Sequence, residues 1–162
     1  NQYPTWLIYR NNQFDDFANH LQLGIFTTFR DRQITSKKCK SSGKYRVLRS
    51  RNIQTNNIVD IENYDIYLDN INKLAVSKFL NKENVVCLPN LSYSPRACFL
   101  PKNCIADGSV ALLKTNYKIT AKDLEIFESK EFRDYYHIAR NYGTRSLNID
   151  SNSIYYFGIR RK

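Results

Sequence analysis

The chain has 162 residues, the size of one ordinary domain, and is 42% apolar and 14% aromatic, enough to build a core and to exclude wholesale disorder. Its formal charge is +10, from 25 Lys and Arg against 15 Asp and Glu, and no apolar run approaches the roughly 18 residues of a membrane-spanning helix. The opening Asn1-Gln2-Tyr3-Pro4 lacks the charged-then-apolar layout of a signal peptide; with no methionine in the sequence, a segment of a longer protein is expected.

In chain order, Trp6-Leu7-Ile8-Tyr9 reads as a short strand. Residues 15–21 read as one or two helical turns with Phe14, Phe17 and Leu21 on one side. Gly24 to Phe29 alternates β-branched and aromatic residues, a strand that runs directly into Arg30-Asp31-Arg32-Gln33. A polar loop over 35–43 leads to a strand at Tyr45-Arg46-Val47-Leu48-Arg49, where bases alternate with apolar residues. A short strand is expected at 58–61. The spacing of Ile71, Leu74, Ala75, Lys78 and Phe79 predicts a helix over 70–81. Val85-Val86-Cys87-Leu88, stopped by Pro89, reads as a buried strand, and short strands follow at 96–100, 104–106 and 109–113, with turns at 101–103 and Asp107-Gly108.

Beyond Tyr117 the character becomes helical. Thr120-Ala121-Lys122-Asp123 resembles a capping box opening a helix with Leu124 and Phe127. Ser129 is placed to cap a second helix whose apolar stripe is Phe132, Tyr135, Tyr136 and Ala139, with Gly143 as its stop. Strand-like pieces close the chain at 147–149 and 154–157. The reading is a single α+β domain, 1–162: a twisted, strand-rich fold with a pair of helices in its C-terminal third.

The charge is concentrated. Between Arg30 and Arg51 nine bases face one acid, Asp31, so this window carries +8 and the remainder +2. Such a stretch calls for an anionic partner, of which a polyphosphate backbone is the commonest; the plainer alternative is a solvated basic loop. Asp60, Glu62, Asp65 and Asp69 follow before the next base, either orienting one face away from a nucleic acid or serving as ordinary surface. Cys39, Cys87, Cys98 and Cys104 include no Cys-x-x-Cys pair and His20 and His137 are distant, so no zinc spacing is present. Cys87 and Cys98 read as buried thiols, and a reducing cytoplasm is the expected compartment.

No Gly-rich phosphate cradle and no Gly-x-Ser-x-Gly elbow occurs. Glu128-Ser129-Lys130 has the acid-x-Lys spacing of metal-dependent nucleases, but without an evident partner acid it reads more simply as a helix cap. Four clusters of Arg, Asn, Gln, Tyr and Ser/Thr on turns suit nucleic acid better. They present Arg30, Arg32 and Gln33; Arg49, Arg51 and Asn52; Asn90, Tyr93 and Arg96; and Thr144, Arg145 and Ser146. Arginine bonds guanine O6 and N7 with both arms of its fork, and glutamine does the same at adenine. An Asp between two arginines, as at Asp31, can fix their orientation. Thr, Ser and Arg on a loop clamp phosphate, so Arg145 is expected to bind backbone and Arg32 to read sequence.

Several of these strings together resemble one family. They are Arg49-Ser50-Arg51-Asn52-Ile53, the 85–96 stretch with Pro89-Asn90-Leu91-Ser92-Tyr93, and Cys104-Ile105-Ala106-Asp107-Gly108-Ser109-Val110-Ala111-Leu112-Leu113. The late Phe127-x-Ser129-x-x-Phe132-Arg133-x-Tyr135-Tyr136 and Gly143-Thr144-Arg145-Ser146-Leu147-Asn148-Ile149-Asp150 belong with them. From about Trp6 to Phe157 the chain is similar to the C-terminal target recognition domains of bacterial N6-adenine DNA methyltransferases of restriction–modification systems. These include the TaqI-like specificity domains and are similar in plan to the recognition domains of type I specificity subunits. The resemblance implies reading of double-stranded DNA on behalf of a covalently linked catalytic domain that binds S-adenosylmethionine and methylates an extruded adenine. The adenine-pocket motif Asp/Asn-Pro-Pro-Tyr/Phe is absent, its nearest string being Ser94-Pro95-Arg96-Ala97, and so is the methyl-donor Gly motif. The resemblance therefore implies no cofactor, metal or catalytic residue in this segment. The rival readings are a metal-dependent DNA nuclease and a single-stranded RNA-binding module stacking bases on Tyr93 or Tyr117.

Overall fold

A computed structural model describes residues 3–90, 95–143 and 148–162. The chain opens with helix α1 (Asn12–Asn19), where the Asn11 side chain accepts from the Phe14 N–H and so satisfies one of the unpaired amides of the first turn. Strands β1 (Leu21–Gln22), β2 (Phe26–Phe29), β3 (Tyr45–Leu48), β4 (Ile53–Gln54), β5 (Asn57–Ile58) and β6 (Ile66–Leu68) follow. Then come β7 (Val85–Pro89), β8 (Cys98–Phe99), β9 (Cys104–Ala106) and β10 (Val110–Thr115). Helix α2 (Lys130–Ala139) and strand β11 (Ile159–Arg160) complete the described elements. The fold is α+β: a 3-10 helix at Lys122–Glu128 runs into α2, so the last third is helical as expected.

The central sheet has the order β2-β10-β7-β8, all neighbours antiparallel. Its middle strands are covered on both faces, which explains why Val85-Val86-Cys87-Leu88 is apolar without alternation. Val86, Leu88, Ala111 and Leu113 face one core, built with the rings of α1, α2 and the C-terminal segment. Val85, Cys87, Val110 and Leu112 face a second core, shared with the three-stranded sheet β6-β3-β9. In the first core Phe14 stacks on Tyr135 with ring centres 4.9 Å apart, and the Tyr135 hydroxyl donates to the Tyr156 carbonyl at 3.0 Å. The buried phenol can do so because it keeps its proton: burial drives Tyr135 far above its usual pKa. Cys87, Cys98 and Cys104 are buried thiols of the second core.

Four local expectations are corrected. Residues 6–9 form no strand; Trp6, Ile8 and Tyr9 are exposed, and their backbone is held by Asn141, whose amide donates to Trp6 O and accepts from Ile8 N, each at 2.8 Å. The helix expected over 70–81 is a 3-10 segment, Ala75–Phe79, because Asn70 turns its side chain onto the Asn72 N–H and occupies the first turn. Of the 154–157 run, residues 154–156 lie in a 3-10 turn, Ser153–Tyr156, nucleated by Asp150, whose carboxylate accepts from the Asn152 and Ser153 amides. The capping-box pair Thr120 and Asp123 does form, with Thr120 N to Asp123 Oδ2 at 2.8 Å, but it opens a 3-10 helix. Ser129 caps α2 as expected, accepting from Phe132 N at 3.1 Å. The helix ends before Gly143, where Asn141 and Tyr142 take left-handed conformations. Among the described residues no helix is long and apolar enough to cross a membrane.

Candidate nucleic-acid interface

Strands β2, β3 and β7 end, and β8 and β10 begin, at one end of the molecule, so the loops singled out for their polar clusters leave from neighbouring points. The turn Asp107-Gly108-Ser109 between β9 and β10 lies where they meet. Its Ser109 carbonyl accepts from Asn90 N at 2.9 Å and its Ser109 Oγ from Ser50 N at 3.0 Å. Asp107 N donates to Leu48 O at 3.1 Å. Gly108 packs so tightly on the first loop that a Cβ there would stand 2.7 Å from the Asp31 carbonyl oxygen. At the far side Asn90 Nδ2 donates to Asn148 Oδ1 at 3.2 Å, joining the edge of the fourth cluster. This turn was missed as a site element; its signal was Asp-x-Ser, in which the Asp107 carboxylate accepts from both Ser109 N (2.9 Å) and Ser109 Oγ (2.6 Å).

The individual residues divide sharply. Arg30 is half-buried and Arg32 exposed, and neither guanidinium has a partner among the described residues. Arg51 is exposed and lies over the ring of Tyr64. The others are engaged within the protein. Gln33 spends both ends of its amide on the backbone of the 73–75 segment, accepting from Ala75 N at 2.8 Å and donating to Lys73 O. Arg49 donates to Tyr64 O at 2.8 Å and lies 3.9 Å from Asp107. Asn52 is fully buried, with its amide shared among Arg49 N, Val59 O and Asp65. Asn90 is also buried, and Arg96 donates to Ile53 O at 2.6 Å and to Ser50 O at 3.4 Å, tying down the 50–53 turn. Asn52 and Asn90 are therefore braces behind the surface, while the exposed Gln33 and the half-buried Arg96 are committed to backbone partners within the protein. Tyr93, Thr144, Arg145 and Ser146 lie outside the described residues.

Asp31 does not orient its flanking arginines as expected. It is buried and turns inward, accepting from Gln33 N and Ile34 N, which fixes the loop backbone instead. Of the acids that follow the basic window, Glu62 is ordinary exposed surface, and Asp60, Asp65 and Asp69 meet the window's own bases. Antiparallel pairing of β3 with β6 folds them back onto the window: Asp60 and Asp65 both bind Arg46, and Asp69 binds Lys40 at 2.8 Å. Burial works against the Arg46 charge, and the two carboxylates more than offset it, raising its pKa. With nine bases and five acids, residues 30–69 carry +4 where residues 30–51 alone carry +8.

The nuclease-like string is dispersed. Glu128 accepts from Thr55 Oγ1 at 2.7 Å, Ser129 is the α2 cap, and Lys130 pairs with Asp134. Among the described residues no group of three or more His, Cys, Asp or Glu side chains is placed to surround a metal ion. A scan against protein-family models and a search of curated proteins gave no match to the chain.

Proposed function

We propose that this chain is a target recognition domain that binds double-stranded DNA sequence-specifically for an N6-adenine DNA methyltransferase of a restriction–modification system. In this reading the methyl donor and the methyl transfer belong to a linked catalytic domain, and no residue described above is assigned to either. The observation that carries the reading is the convergence of separate polar loops on the Asp107-Gly108-Ser109 turn, with Arg30, Arg32 and Arg51 left unpaired by any acid among the described residues. A rim of rigidly anchored loops bearing uncommitted arginines suits phosphate binding and base reading together.

Duplex binding measured across a salt series tests it. With about six phosphates neutralised, log K falls against log salt with a slope near −5. Competition between duplex DNA and single-stranded RNA is expected to favour the duplex. A salt-independent affinity, or a preference for the RNA, overturns the reading.

A further inference from the structure

The arginines at the rim differ in one respect that charge does not capture: Arg51 is mounted. The 3-10 turn that carries it, Ser50–Asn52, is closed at both ends, since Arg49 N donates to Asn52 Oδ1 and Asn52 N to Arg49 O, each at 2.9 Å. Tyr64, brought in from the segment before β6, lies against this turn. Its hydroxyl accepts from the Arg51 N–H at 3.3 Å, and its carbonyl accepts from Arg49 Nη1. The Tyr64 ring carries two guanidiniums, Arg49 at 4.2 Å and Arg51 at 4.8 Å from its centre. Arg49 is spent on the protein. Arg51 is exposed and has no hydrogen bond or ion pair from its guanidinium among the described residues.

A guanidinium lying on a ring uses its face, while its N–H donors lie in its plane and remain available at the edge. The result is a planar fork with reduced freedom, presented to whatever carries two adjacent acceptors. Guanine O6 and N7 are such a pair, and so are two phosphate oxygens. The surroundings favour the base. An open groove of about 780 Å³ beside the stack is lined by Lys40, Arg49, Tyr64 and the carboxyl-bearing Asp60, Glu62 and Asp65. Asp60 and Asp65 are held by Arg46, which leaves Glu62 as the lining carboxylate without a partner among the described residues; it can accept from a base amino group, a donor that phosphate does not offer.

We propose that Arg51 reads a guanine in the major groove and that Tyr64 is its positioning residue. This rests on the DNA-recognition reading and goes beyond it by naming the base and the side chain that aims the reader. The test selects from a duplex library with a randomised core, first on the unchanged chain and then on Arg51→Lys, Tyr64→Leu and Tyr64→Phe. The expected result is a guanine-containing preference that Arg51→Lys weakens about tenfold to a hundredfold at one position, with affinity for unselected duplex within about threefold. Tyr64→Leu reproduces that loss of selectivity, and Tyr64→Phe, which keeps the ring, retains the preference. A preference without guanine, or an Arg51→Lys variant that weakens every duplex equally and lowers the salt slope by about one, overturns the inference while leaving DNA recognition standing. Absence of duplex binding by the unchanged chain overturns the underlying reading. If Tyr64→Leu fails to fold, proton NMR of the unchanged chain decides: an upfield ring-current shift of the Arg51 side-chain resonances supports the role given to the ring, and unshifted resonances overturn it.

Discussion

At the scale of single residues, the candidate interface is braced by polar side chains whose bonds stay within the protein. Asp65 is the clearest case. Burial pushes its carboxyl up, but the Ile61 N–H, the Asn52 amide and the Arg46 guanidinium outweigh burial and hold it below its usual value. A group whose folded pKa lies below its unfolded one contributes stability above the unfolded pKa, about 4 for Asp, and that contribution disappears as pH falls through the folded value. The urea midpoint is therefore expected to drop between about pH 5 and pH 2. Asp65→Asn, less stable at neutral pH, is expected to show a smaller drop; an unchanged pH profile in that variant removes Asp65 from the account. The same scale explains what the sequence could not disclose. Arg51 was legible as an exposed base on a turn, but whether Gln33, Asn52 and Arg96 face outward depends on partners up to 46 residues away in the chain. Tyr64 carried no signal of its own, because its role exists only once the β3–β6 pairing sets it beside Arg49 and Arg51.

Elements were legible where burial imposed a long or one-sided pattern. The α2 stripe and its Ser129 cap, and the doubly covered β7 and β10, follow directly from residue type and spacing. Short apolar runs were ambiguous by nature: 154–157 and 70–81 both gave 3-10 turns because an Asx side chain, Asp150 or Asn70, captured the adjoining amides first. The turns joining elements matter as much as the elements. Gly108→Ala places a methyl group against the Asp31 carbonyl, a backbone group that cannot swing away. Overpacking of this kind costs about 1–3 kcal/mol, readable in urea unfolding. A change below about 0.5 kcal/mol, within the ordinary range for surface substitutions, would show that the two loops are not wedged together.

For the whole molecule, the sheet β2-β10-β7-β8 is a wall common to two cores, and neither core retains a complete lining without it. Unfolding is therefore expected to be a single transition. The two cores carry their own reporters: Tyr135, Tyr136 and Phe132 give near-ultraviolet dichroism on one side, and the thiols of Cys87, Cys98 and Cys104 report by modification on the other. Coincident loss of dichroism and gain of thiol reactivity along a urea series is the expected outcome; separate midpoints would mean that the sheet does not couple the halves. Charge, too, has to be read at this scale. The linear segregation of bases and acids over 30–69 becomes partial pairing in space: Lys40 and Arg46 are matched by acids, while Arg30, Arg32 and Arg51 on the loops have no acid partner among the described residues.

The Asp107-Gly108-Ser109 turn has a further consequence. Its bonds to the neighbouring loops run largely through their main-chain atoms, Asn90 N, Leu48 O and Ser50 N, and Gly108 packs against the carbonyl of Asp31. Main-chain atoms are the same whatever side chain is attached. Exposed residues at the loop tips can therefore be exchanged while the frame that aligns them stays welded, and such substitutions are expected to leave the fold standing.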